Sequence, residues 1–407
     1  MRRSLTSTLK DWQSLSPAGK VLVANSLSFN LGFYMLMPYL ADHLQSLGLS
    51  SAYIGLVIGL RVLSQQGLFL VGGTLGDHFG YKPMILLGCI VRIVGFLLLA
   101  VSSELSWIIM GAFATGFAGA LFTPSSQAYL AAEYPESRQR NRVFALQNLA
   151  SEAGMLMGPL VGLTLLSFSF IFVGVLAAGV FALLLVLQWF FLPQQAESAP
   201  VIRQAFWREW GLMLCNKPFM AFVIAASIYQ VLFHQLYMAI PTHARAETND
   251  PSVITWVFMI ASLMGVTLQM SISRWIDRSF GTAKGMGWGM TIMGCAFLIL
   301  SFSFPLWPAL PFILCAVLLS LGSMMVFPLL GAYVPNFAPS KKLASYYGLQ
   351  SCIGGLFAFV GNSSAGWLLD QHFSANWIWL TLALLGMLSG GWLYYQVQRA
   401  SSLAHSR

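Results

Sequence analysis

The chain has 407 residues, of which 57% are hydrophobic and only 8% charged, with a formal charge of +8 at neutral pH. That balance excludes a soluble globular domain, in which roughly a quarter of residues carry charge. Apolar runs of about 20 residues recur from end to end, each long enough at about 1.5 Å per residue to cross a hydrocarbon core of about 30 Å, so the sequence reads as an all-α polytopic membrane protein.

Twelve transmembrane helices are predicted, roughly over 20–41, 52–72, 83–101, 106–131, 142–165, 169–191, 218–241, 253–273, 285–304, 309–334, 346–369 and 377–397. The leading "MRRSLTSTLKDWQSLSPAGK" is basic but shows no cleavage site behind a short apolar core, so the first run is expected to stay as a helix. Helix 1 carries Asn25, Phe29 and Phe33, and helix 2 carries Arg61. The link that follows, "GGTLGDHFGYKPM" from Gly72 to Met84, is a polar island holding Gly73, Asp77, His78, Gly80 and Lys82. Its Gly80 suits a tight reversal and Pro83 a first helical turn. Arg92 lies in helix 3, and Phe113 and Phe117 in helix 4, which ends at Glu133 before a loop with Arg138, Arg140 and Arg142. Helix 5 holds Glu152 and then "GMLMGPLVG", where Gly154, Gly158 and Gly162 recur every fourth residue around Pro159 and give a smooth face for close helix contact.

The charged segment 193–217 reads as a linker between an N-terminal bundle, 1–192, and a C-terminal one, 218–407. Helix 7, "FVIAASIYQVLFHQLYMAIP", concentrates Tyr229, Gln230, His234, Gln235 and Tyr237. Met259 and Gln269 in helix 8 and Met324, Met325 and Phe327 in helix 10 join the residues of helices 1, 4 and 7 as an adaptable apolar wall for a substrate cavity. The five cysteines have no metal-ligand spacing and read as packing residues, and no metal or cofactor is expected.

Lys and Arg place both termini on the cytoplasmic side. In the twelve-helix reading one side carries Lys82, the basic loop, Arg203, Arg208, Lys217, Arg274, Arg278, Lys284, Lys341 and Lys342, and the other only Arg245. The positive charge therefore answers to the lipid bilayer, and nucleic acid is not an expected partner.

Charges inside the membrane are costly and mark function or a fixed partner. Of the 13 acidic residues only Glu152 falls well inside a predicted helix. It lies about 15 Å along the axis from Arg142, near the bilayer midplane. A carboxylate there suits a proton carrier tuned by a neighbouring arginine, but a permanent pair with Arg61 or Arg92 that fixes packing is the competing reading. A surplus arginine would alternatively hold an anionic substrate. His234 is a second proton-site candidate or a structural donor.

Overlaying "GGTLGDHFGYKPM" on "SRWIDRSFGTAKGM" sets Asp77 on Asp277, and "PSSQAY" (Pro124 to Tyr129) matches "PLLGAY" (Pro328 to Tyr333) in the same order. Duplicated halves of six helices follow, which is a transporter's build. The chain has no phosphate-cradling loop and no soluble catalytic domain, so enzyme chemistry is not expected and energy must come from an ion or substrate gradient.

On these motifs the sequence resembles the major facilitator superfamily over nearly its whole length. Gly73, Asp77, Gly80 and Lys82 match the family's loop signature between helices 2 and 3, with His78 and Tyr81 standing where basic residues are usual. "GMLMGPLVG" matches the helix 5 pattern of drug and proton antiporters, while Ala112 stands where many of them carry an arginine in helix 4. The stretch from Gly59 to Pro83, followed by "RIVGF", is similar to the family's multidrug exporters. The resemblance implies two pseudo-symmetric six-helix bundles, a helix 5 contact that seals the halves on the extracytoplasmic side, and an Asp77 latch on the start of helix 11 near Ser345. Lys82, Glu133, Arg138, Arg140, Arg142 and Asp277 would share that cytoplasmic gate, with His78 lending it pH sensitivity. The function expected is export of small amphiphilic drugs or metabolites in exchange for protons, by a monomer in a bacterial cytoplasmic membrane. Export of an anionic metabolite such as a carboxylate siderophore is the alternative, and uptake symport and a non-transporting receptor follow behind it.

Overall fold

The computed structural model describes residues 12–13, 15–134, 137–193, 213–279, 281–302, 304, 306–337, 343–371 and 376–405. Every regular element among the described residues is a helix, as lipid requires of a chain that must satisfy its own N–H and C=O groups. In chain order the helices are α1 Pro17–Ser46, α2 Ser51–Gly67, α3 Phe69–Phe79, α4 Tyr81–Val101, α5 Leu105–Glu133, α6 Ser137–Leu166 and α7 Phe170–Phe191. They continue with α8 Lys217–His234, α9 Ala239–Thr248, α10 Ser252–Ser279, α11 Gly281–Ala296, α12 Leu310–Tyr333, α13 Leu343–Asp370 and α14 Asn376–His405.

Among the described residues 11 spans are long and apolar enough to cross a bilayer. The remaining predicted passage, helix 2, is present in two pieces, because the chain leaves helical geometry at Leu68 (φ −98°, ψ 5°) between α2 and α3. Helix 7 is likewise broken, by a turn over residues 235–238 between α8 and α9. The two reversals that follow the second helix of each half both use a glycine in the left-handed region, Gly80 at φ +89° and Gly281 at φ +69°. A side chain is strained there, which explains the glycine at corresponding points of the repeat.

The chain forms two compact units, one of residues 1–38 and 68–202, the other of residues 39–67 and 203–407. The chain passes from one to the other at Pro38, inside α1, and at the Leu68 break. In the first unit α4 packs on α5 and α7, and α3 on α5. Gly72 lets α3 come so close that an added Cβ would stand 2.0 Å from the Ala120 carbonyl oxygen. In the second unit α2 lies along α13, α8 packs on α13 and α14, and α11 on α12 and α14. The α2–α13 seam is antiparallel and nearly backbone to backbone. Added Cβ atoms would fall 2.2 Å from the Asn362 carbonyl oxygen at Gly55, 2.9 Å from that of Phe359 at Gly59 and, at Gly366, 2.1 Å from that of Ser51.

Candidate functional site

Each unit has a chamber among its own helices that is partly open and lined by both polar and aromatic side chains. In the first unit a cavity of about 680 Å³ is lined from α1 by Ser26, Phe29 and Asn30, from α5 by Phe122, Thr123, Ser126 and Gln127, and from α6 by Phe144, Gln147, Asn148 and Ser151. On all three helices these positions recur at three- and four-residue spacing, so each helix presents one polar stripe. The Phe29 and Phe122 rings stack with centroids 5.2 Å apart. The Arg92 guanidinium lies 3.7 Å from the Phe29 centroid, on a ring that itself lines the chamber, and 5.3 Å from that of Phe181. Its Nη2 donates to the Thr115 carbonyl at 3.3 Å, and the side chain is 1% exposed. Glu152 follows Ser151 on α6. Its Oε2 is buried and has no hydrogen-bond partner among the described residues.

The chamber of the second unit, about 430 Å³, is lined by Tyr229, Gln230, Phe327, Tyr347, Gln350 and Ser351, among others. The Tyr229 and Ser323 hydroxyls are 2.7 Å apart, and the Tyr347 hydroxyl donates to the Gly331 carbonyl at 2.7 Å. Near the α2–α13 seam sits a buried polar cluster. Gln235 Nε2 donates to the Val231 carbonyl at 2.9 Å and to Asn362 Oδ1 at 3.2 Å, and both residues are fully buried. The adjacent His234 is 7% exposed, and its two ring nitrogens have no hydrogen-bond partner among the described residues. Arg61 donates to Gln65.

At the end of this unit where α1 stops and α2 starts, three contacts close together in the fold tie early and late sequence. Arg245 Nε meets Asp42 Oδ1 at 2.9 Å. The Asp370 carboxylate accepts from the N–H groups of Ser51 at 2.7 Å and Ala52 at 2.8 Å, so the end of α13 caps the start of α2. Tyr39 and Thr255 share a hydroxyl hydrogen bond. Next to them Asp250 accepts from the Ser252 N–H at 2.8 Å and hydroxyl at 2.6 Å at the head of α10, and these bonds hold its carboxyl below the usual range.

Of the residues singled out in the sequence, Phe29 enters the first chamber and Tyr229, Gln230 and Phe327 the second. Asn25, Phe33 and Met324 are buried, and Met259 is half-buried. Phe113 and Phe117 stack on each other at 6.0 Å, with Phe113 41% exposed. Gln269 donates to the Met324 carbonyl at 3.1 Å. Gly154 and Gly158 face α1 within the first unit, where added Cβ atoms would stand 2.3 Å from the Leu27 carbonyl oxygen and 2.5 Å from Tyr34 Cβ. Pro159 and Gly162 are on the same helix. At the cytoplasmic gate expected from the sequence, Gly73 faces Pro124, Lys82 Nζ donates to the Trp189 carbonyl at 3.0 Å, and Glu133 is half-buried at the end of α5. The side chains of Asp77, His78, Arg138, Arg140, Arg142 and Asp277 lie outside the described part of the structure.

Sequence reading missed the amides Gln127, Gln147 and Asn148, although polar side chains three and four apart in membrane helices were the available signal. Asp42 and Asp370 stand at helix ends, and nothing local in the sequence points to their partners. Among the described residues no three His, Cys, Asp or Glu side chains are grouped to hold a metal ion.

A bundle of membrane-crossing helices with polar chambers among them, and with two of those helices broken, defines a multi-pass membrane transporter. The sequence profile of the Major Facilitator Superfamily matches residues 22–247 and 236–406, and the chain belongs to that family. It is similar to an uncharacterised transporter of the same family from Mycobacterium tuberculosis, with 38% identity over 383 residues and 91% of each chain covered. It is similar to the multidrug resistance protein MdtH of Edwardsiella ictaluri, with 29% identity over 384 residues, 92% of this chain and 93% of the relative. Among solved structures, the peptide transporter POT shares the fold at a TM-score of 0.79 and 13% identity, with 96% of this chain and 98% of that one covered. The nucleoside transporter NupG does so at 0.79 and 14%, covering 94% and 100%. Members of the family are transporters rather than enzymes.

Proposed function

We propose that the chain exports small amphiphilic compounds across a bacterial cytoplasmic membrane in exchange for protons, by alternating access. The observation that carries the coupling is Glu152, whose buried Oε2 lacks a hydrogen-bond partner among the described residues beside a chamber wall. A buried carboxylate oxygen so placed is costly while ionised and is relieved by taking a proton. The likeness to MdtH proteins supports drug efflux as the direction and class of transport. Two six-helix bundles, 1–192 and 218–407, joined by 193–217, with both termini cytoplasmic and the monomer as working unit, complete the reading. His234, buried beside Gln235, is the second protonation candidate in it, with Arg61 held as part of the same intramembrane charge set. Gly73, Asp77, His78, Gly80, Lys82, Glu133, Arg138, Arg140, Arg142 and Asp277 form its cytoplasmic gate, with Asp77 latching the start of α13.

The anionic-substrate reading rested on Arg61 and Arg92. Neither lines a described chamber, and the Arg92 guanidinium lies against Phe29 and donates to Thr115. The test is efflux driven by a proton gradient in inverted vesicles. Glu152→Gln is expected to cut gradient-driven efflux at least about tenfold while substrate exchange without a gradient persists. Full proton-driven efflux with an unchanged pH profile in that variant would refute the coupling role.

A further inference from the structure

The two chambers share a chemistry that the exporter reading leaves unused: no side chain of fixed charge lines either of them among the described residues. The first is walled by the amides of Asn30, Gln127, Gln147 and Asn148, beside hydroxyls and the stacked plate of Phe29 and Phe122. The second repeats the pattern, with Gln230 and Gln350 beside Tyr229 and Phe327, whose ring centroids are 5.9 Å apart. An amide offers donors and an acceptor together, so such a wall matches ligand hydroxyls and amides in either sense. The Ser126 hydroxyl is 1% exposed and has no partner among the described residues, although Ser126 lines the first chamber. It is thus a polar group buried in the chamber wall with its hydrogen bond still to make.

An ionised ligand, by contrast, would leave water for a wall whose described lining offers amides, hydroxyls and rings but no charge in direct contact, which compensates its desolvation less well. Arg92 does not supply the charge, because it lies on the Phe29 ring and lines neither chamber. Flat aromatic faces next to an edge of amides and hydroxyls fit a ring with one apolar face and a hydrogen-bonding rim. Each volume falls in the range of sites for molecules of that size.

We infer that the substrate is an uncharged ring compound bearing several hydroxyl or amide groups around an apolar face, the chemistry a neutral aromatic glycoside presents. This rests on the exporter reading for the direction of transport only.

The test uses three matched probes on the purified full-length protein by calorimetry: a phenyl glucoside, the phenyl glucuronide, and the glucoside with an amine at the same ring substituent. The neutral probe is expected to bind at least about tenfold more tightly than either charged one. Equal or tighter binding of a charged probe, or no binding of any probe to protein that melts cooperatively, overturns the inference. Asn148→Asp, at an exposed position on α6, is expected to shift preference toward the amine by about tenfold. An unchanged ratio of neutral-probe to amine affinity in that variant also overturns it. Neutral-probe binding without proton-driven efflux would sink the exporter reading alone. Efflux of charged dyes with no neutral-probe binding would sink this inference alone.

Discussion

Arg92 is a cation with an aromatic seat. Its guanidinium carbon lies 3.7 Å from the Phe29 ring centroid while Nη2 donates to Thr115, a combination that a compact ammonium does not reproduce. Arg92→Lys is therefore expected to destabilise the protein by about 1–2 kcal/mol, read as a lower melting temperature in detergent. Were Arg92 an anion site instead, lysine would keep stability and anion affinity alike. Asp250 makes a separate, pH-linked prediction. Its bonds to Ser252 favour the ionised carboxylate in the folded state. The stabilisation is then complete above the ordinary carboxylate range and is lost as pH falls through the lowered folded value. Asp250→Ala should cost about 0.5–1 kcal/mol at neutral pH, at the low end because the site is exposed, and almost nothing in strong acid. Melting curves across that pH range check the sign.

At the level of elements, the α2–α13 seam sets the tolerance of the second unit to change. Gly55→Val is expected to cost about 1–3 kcal/mol in thermal unfolding, since the new side chain must push apart two backbones. Gly391→Val is the control, because an added Cβ there meets nothing within 4 Å. The passages themselves were legible in the sequence, since lipid imposes length and hydropathy on each segment independently of its neighbours. The reversals at Gly80 and Gly281 were half legible: Gly80 announced itself by its polar flanks, and Gly281 only through the repeat. The break at Leu68 was hidden, as no proline or charge marks it, whereas the turn over 235–238 carried a signal in Pro241, which cannot donate to the Tyr237 carbonyl. The bond between Asp370 and Ser51 spans 319 residues, and no local pattern encodes a partner at that distance. Gly55 and Gly59, four apart, carried the same close-packing signal as Gly154 and Gly158 and were the readable trace of the seam.

For the whole molecule, alternating access requires that contacts made in one state be absent in the other. In the proposed exporter the Asp370 cap on α2 and the Asp42–Arg245 pair, both within the second unit, would be such contacts. Asp370→Asn keeps an acceptor but loses the charge, so the closed population should fall about fivefold, equivalent to about 1 kcal/mol. Spin labels at Tyr53 on α2 and Trp367 on α13, both exposed positions, read this as a growing long-distance fraction. An unchanged distance distribution would show that the cap is stabilising scaffold and not a gate.

Residues 39–67 come from the first half of the chain yet complete the second unit. That has a consequence for dissection. A fragment beginning after the linker would carry α13 with the face that holds α2 uncovered, including Gly366 and the Asn362 and Phe359 carbonyls, so it is not expected to be an autonomous folding piece. Severed halves would regain a whole protein only by complementation, the first fragment lending the second the helix it lacks.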